Sequence, residues 1–137
     1  MKKKYLIFFL ILFLNPLALA DPLKDALESD VRSNKSIARD IYRNPYETLS
    51  FFGIEPNMKV VELSPGGGWY TEILAGYLRE DGQLIAAHFD PSMGEFAKRI
   101  RNNFEKKLSS NSIYDRVEVV SLNSRYSEEN SVDAILT

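Results

Sequence analysis

An acidic residue, Glu62, stands at the end of a short apolar run (Val60, Val61, Leu63) and is followed at once by Ser64-Pro65-Gly66-Gly67-Gly68. A buried strand, a glycine-rich turn and a helix start in that order make a seat for a nucleotide-like ligand. Glycine lets backbone pass close to the ligand, and the helix start offers unpaired N–H groups and a positive dipole end. Three ligand classes use such loops. A triphosphate loop needs lysine and then serine or threonine after its last glycine. Here Trp69-Tyr70-Thr71 follow Gly68, so that reading fails. A dinucleotide loop places glycines as GxGxxG, and threonine occupies position 71, which weakens that reading without excluding it. Methyl-donor nucleosides remain. Cysteine is absent and His88 is the single histidine, so neither a disulfide framework nor a cysteine-rich metal site is available.

The loop has to be held by regular elements. The sequence predicts a strand over Lys59 to Leu63 and a helix over Tyr70 to Leu78, with Ile73, Leu74, Tyr77 and Leu78 inward. Glu80-Asp81-Gly82 marks a turn into a second strand, Leu84 to Phe89. Asp90-Pro91-Ser92 then starts a helix Met93 to Leu108 that carries Phe96, Ile100 and Phe104 at fourfold spacing. Arg116 to Leu122 and Ser131 to Thr137 read as third and fourth strands. Upstream, Pro22 to Arg43 reads as helical through Leu23, Leu27, Val31, Ile37 and Ile41, ending at Pro45. A short helix Tyr46 to Phe52 is stopped by Gly53. Strand and helix alternate after residue 59, the pattern of an α/β, Rossmann-like, doubly wound parallel sheet of about four strands. The last strand coincides with the last residue, so the sequence reads as an incomplete domain: a helical segment 21–58 followed by a truncated cofactor-binding region 59–137.

The first 20 residues belong to export. Lys2, Lys3 and Lys4 precede the apolar run Tyr5 to Leu14, and Asn15-Pro16 leads to Ala18-Leu19-Ala20. These features describe a secretory signal peptide cleaved after Ala20, too short to span a bilayer comfortably; the alternative is an uncleaved anchor. The protein is therefore expected in the periplasm or outside the cell, touching membrane only through that peptide. Of 137 residues, 17 are basic and 19 acidic. Without the three leader lysines the balance is 14 to 19, a net charge of −5. That argues for a small-molecule partner and against a general nucleic-acid binder.

ELSPGGG, Glu62 to Gly68, resembles motif I of class I S-adenosylmethionine-dependent methyltransferases, an acidic residue followed by GxGxG. Ser64 stands at the first glycine's place, and Gly66 and Gly68 match the others. RDIYRNP, Arg39 to Pro45, and PGGGWYT are also similar to a group of exported bacterial methyltransferase-type proteins. The likeness runs from about Arg39 to Thr137, roughly the first half of that fold. It implies that the cofactor is S-adenosyl-L-methionine, that Ser64, Gly66 and Gly68 cradle its methionine part, and that Glu62 organises the loop. The family's ribose carboxylate ends the second strand, where this chain has His88 with Asp90 two residues on. Asp90 is equally explained as a helix cap, and His88 as a structural residue. The family's acidic residue near the adenine corresponds to Asn123. Asp133 resembles the start of motif IV, or is a charge at a strand entrance. Trp69 and Tyr70 wall the site or belong to the core. The resemblance supplies no catalytic residue and leaves the methyl acceptor open.

Three functions stay open: a methyltransferase, an exported binding protein derived from that fold without catalysis, and a dinucleotide-dependent oxidoreductase fragment. The cofactor is made in the cytoplasm while the leader sends the protein out, so either the cofactor reaches the envelope or the ligand has changed.

Overall fold

The computed structural model describes residues 20–125 and 131–137. The signal-peptide reading falls on residues 1–19 and lies outside the described residues, except for Ala20. Four parallel strands form one sheet: β1 (Lys59–Leu63), β2 (Gln83–His88), β3 (Glu118–Ser121) and β4 (Ala134–Leu136), in the order β3-β2-β1-β4. The chain is thus α/β and Rossmann-like, as its alternating pattern predicts. Val60 pairs with Leu84 and Ala134, and Ala87 pairs with both Leu63 and Val120, so the carboxyl ends of the first three strands fall along one edge. At the opposite edge Asp133 clamps the start of β4 to β1. Its carboxylate accepts from the Lys59 N–H (2.7 Å), and its own N–H donates to Lys59 O (2.9 Å). That placement favours the strand-entrance reading of Asp133.

Helix α5 (Thr71–Tyr77) covers the sheet face that carries Val60, Leu84 and Leu136, burying Ile73, Leu74 and Ala75, with Leu78 just beyond its end. Helix α1 (Pro22–Leu27) adds Leu23 and Ala26 to that core, and α4 (Pro45–Phe51) adds Leu49. Val61, Ile85 and Ala87 form a second buried cluster on the other face. Helix α4 ends as predicted. Gly53 at φ 64 and Ile54 close the pair of bonds Gly53 N–H to Ser50 O and Ile54 N–H to Leu49 O that terminates a helix on a left-handed residue.

Two expectations need correction. Residues 22–43 are not one helix but three pieces: α1, α2 (Asn34–Ile37) and α3 (Asp40–Arg43). The Arg32 guanidinium donates to Leu27 O at the end of α1 and grips Asp40 with two bonds of 2.7 and 2.9 Å, turning the chain back. Ser33 then caps α2 by accepting from the Ser36 N–H. As a result Ile37 and Ile41 are exposed. The helix expected from Met93 begins instead at Glu95, as α6 (Glu95–Leu108), because Pro91–Met93 form a tight 3-10 turn and Gly94 breaks the run. Fourfold spacing drifts about 40° per step around a helix. Phe104 is therefore buried, Ile100 half-buried and Phe96 exposed.

Candidate functional site

A cavity of about 410 Å³ opens between the end of β1 and the end of β4, lined there by Glu62, Leu63, Ser64 and Thr137. These strands flank the point where the strand order reverses, the position at which open α/β sheets bind ligands. Pro65, Gly66 and Gly67 form its floor, and Trp69, Tyr70 and Lys107 a side. The opposite wall comes from the N-terminal segment, through Ser33, Lys35, Ser36, Arg39 and Arg43.

Ser64 has a left-handed backbone, φ 52, the conformation that glycine adopts without penalty. A serine thus occupies a position whose geometry suits the glycine of the motif, and its N–H donates to Ala87 O (2.9 Å), anchoring the loop to β2. The Gly66 and Gly67 N–H groups have no partner among the described residues, which leaves them able to donate to a ligand. Gly68 acts differently. It has φ 79, it does not line the cavity, and a side chain on it would meet Phe104 Cε2 at 3.0 Å and Thr71 Oγ1 at 3.2 Å. Its role is close packing of the loop against α5 and α6, while Gly66 and Gly67 line the cavity.

Glu62 is buried at the cavity's edge and accepts a 2.6 Å hydrogen bond from the Thr71 hydroxyl. Burial raises its pKa to about 7, against the opposing pull of the Thr71 bond and the Lys107 charge. The carboxyl ties the strand end to the start of α5. Trp69 and Tyr70 meet both readings at once, since each packs on the core and lines the cavity.

His88 is fully buried, against Phe104. Its Nδ1 accepts from the Phe89 N–H (2.7 Å), so Nε2 carries the proton and donates to Gly66 O (3.3 Å). Burial lowers its pKa and keeps the ring neutral. The histidine holds the glycine loop and does not face the cavity. Asp90 caps the 3-10 turn, its carboxylate accepting from the Ser92 N–H (2.8 Å) and hydroxyl (2.6 Å), bonds that hold its pKa low. Asn123 is exposed in the turn after β3. The structure therefore gathers Glu62, Ser64 and Gly66 at the cavity, sets Gly68 and His88 behind the loop, and leaves Asp90 and Asn123 on the same sheet edge outside the cavity lining.

Several residues of this site went unnoticed in the sequence. Lys107 reaches from the end of α6 to donate to Gly67 O (2.6 Å) and pairs with Glu72, whose side chain is fully buried. Glu72 also accepts from the Ser33 N–H (3.2 Å), and Trp69 Nε1 donates to Ser36 O (2.9 Å). The Arg43 guanidinium lies 4.7 Å above the Trp69 ring. Together these contacts dock the N-terminal segment over the loop. The one available signal was the basic spacing Lys35, Arg39, Arg43.

No family model matches the chain, and no curated protein matches it either. Among solved structures the chain is similar to a cyclopropane-fatty-acyl-phospholipid synthase-like protein from Lactobacillus casei ATCC 334, at 17% identity and a TM-score of 0.47, over 74% of this chain and 38% of that one. It is also similar to a protein-L-isoaspartate O-methyltransferase, at 20% identity and a TM-score of 0.42, over 64% of this chain and 26% of that one. YjhP from E. coli is a third, at 13% identity and a TM-score of 0.39, over 85% of this chain and 42% of that one. The chain thus spans less than half the length of each of these structures.

Proposed function

We propose that this chain binds S-adenosyl-L-methionine at the loop Glu62–Gly68 and forms the cofactor-binding part of an exported methyltransferase, its region 59–137 following a helical segment 21–58. The carrying observation is the cavity at the switch point between β1 and β4, floored by Pro65, Gly66 and Gly67. Its chemistry suits the methionine part of the cofactor. Free N–H groups on the loop can donate to the cofactor's carboxylate, Glu62 and Ser64 line the same cavity, and Tyr70 offers an aromatic face. When bound, the cofactor supplies an electrophilic methyl group. The residues of this chain bind and orient it, a contribution made mainly by positioning.

A second reading, binding without transfer, is favoured by one specific observation. His88 faces the loop and Asp90 caps a turn, so neither presents a ribose carboxylate to the cavity. Titrating the chain with S-adenosylmethionine and with its demethylated product, following Trp69 fluorescence and heat, tests both. Saturable binding of both ligands is the expected result, and absence of binding by either readout overturns the cofactor assignment. Methyl incorporation from labelled cofactor into extracts separates transfer from binding. Export is tested by N-terminal sequencing of the protein from the cell envelope, where Asp21 is the expected first residue.

A further inference from the structure

The wall facing the glycine loop is cationic. Lys35, Arg39 and Arg43 recur at intervals of four through α2 and α3, are exposed, and line the cavity. None has an ion pair among the described residues, and Lys35 and Arg39 make no side-chain hydrogen bond there. Three other arginines are ion-paired: Arg32 with Asp40, Arg79 with Asp115, Arg101 with Glu105. Three cations without a carboxylate partner, in a chain whose net charge is −2, require a local reason. Among the described residues the one acidic side chain lining the cavity, Glu62, is already bonded to Thr71.

The cofactor does not supply that reason. S-adenosylmethionine carries a sulfonium, an ammonium and one carboxylate, a net charge of +1. Three surplus cations beside it are repulsive unless a further anion enters. We infer that the second ligand of this site, the methyl acceptor, bears an oxyanion, carboxylate or phosphate, anchored by Arg39 with Lys35 and Arg43. Guanidinium groups match such anions through paired N–H donors. This inference rests on the cofactor reading above.

The test uses the full chain with inorganic phosphate and succinate as separate probes, at ionic strength held constant with chloride. Trp69, under the Arg43 guanidinium, is the reporter. At least one probe saturates, and it raises affinity for S-adenosylmethionine more than for the uncharged-sulfur product, because only the former carries the repelled sulfonium. Preference between the probes identifies the phosphate or the carboxylate class. Arg39→Gln, at a side chain with no hydrogen bond or ion pair to lose among the described residues, weakens the bound probe about tenfold. Neither probe saturating, or equal anion binding by the Arg39→Gln variant, overturns the inference even if the cofactor binds. Anion binding without cofactor binding overturns the cofactor reading, and with it the identification of the anion as acceptor. A Lys35→Gln variant repeats the test independently.

Discussion

Lys107 and Glu72 offer the sharpest test of how the loop is held. The Glu72 side chain has no exposure, whereas Lys107 keeps 26% of its own. Removing the lysine, as in Lys107→Met, leaves a buried carboxylate with the Ser33 N–H as its remaining donor. Breaking a fully buried pair this way costs about 3–5 kcal/mol, and the partial exposure of the lysine reduces the expectation to about 2–3 kcal/mol. The lost bond to Gly67 O adds little, because Gly67 is exposed and water replaces the donor. The reverse change is milder. Glu72→Gln keeps the acceptor for Ser33, and Lys107 retains its reach to water and Gly67 O, so the loss is about 1 kcal/mol. The double variant Glu72→Gln/Lys107→Met is then more stable than Lys107→Met alone, because the stranded charge has gone. Urea unfolding read by Trp69 fluorescence measures all three, and the lysine variant melts roughly 10 °C below the parent. A Lys107→Met protein within about 0.5 kcal/mol of wild type, or a double variant less stable than that single one, refutes this account of the pair.

Two further predictions concern the loop. Burial raises the folded-state pKa of Glu62 from its ordinary value of 4.5 to about 7, so the folded state holds the proton more tightly than the unfolded chain. Stability is accordingly highest below pH 4.5 as far as this group is concerned, and falls as pH rises to about 7, by an amount on the order of 3 kcal/mol. Glu62→Gln, which can still accept from Thr71, flattens that part of the pH profile; an unchanged slope in denaturation curves contradicts the burial argument. The second prediction contrasts neighbouring glycines. Gly68→Val meets Phe104 and Thr71 from a left-handed backbone and destabilises the fold by about 2–4 kcal/mol. A Cβ at Gly67 meets no atom within 4 Å, so Gly67→Val leaves the melting temperature near wild type and lowers cofactor affinity by filling the cavity. Full cofactor affinity in a folded Gly67→Val protein shows that the ligand lies elsewhere.

The parts of the fold that were legible are those written locally. Strand β1 and helix α5 lie close to the residues where alternation and helical spacing place them, because each periodicity reports the face its own element buries. Gly53 signals its helix end for the same reason. Position 64 is instructive: a serine breaks the glycine pattern, yet its left-handed φ shows that the backbone kept the glycine conformation. After the second strand, where Asp90 could be read as a ribose ligand or as a cap, the structure shows the cap. Strand β2 ends at His88, so Asp90 no longer shares a strand face with it and instead caps a turn.

The far wall of the cavity was not legible, for a physical reason. Its position is set by bonds between residues distant in sequence: Trp69 to Ser36 across 33 positions, Ser33 to Glu72 across 39, Lys107 to Gly67 across 40. Each of those residues has an ordinary local explanation. Ser33 caps a helix, Lys107 complements a helix dipole, and Glu72 is a first-turn carboxylate. A local role satisfied by a common residue type hides a long-range one, since nothing in the spacing distinguishes a lysine that faces water from one that grips a loop. The two halves of the site differ for the same reason. The loop side is made by backbone, whose glycines must be written into the chain, and it can be read from sequence. The cationic side is made by side chains on two short helices, α2 and α3, whose arrangement the Arg32–Asp40 pair sets, and it becomes visible only once that pair has folded the segment over the loop.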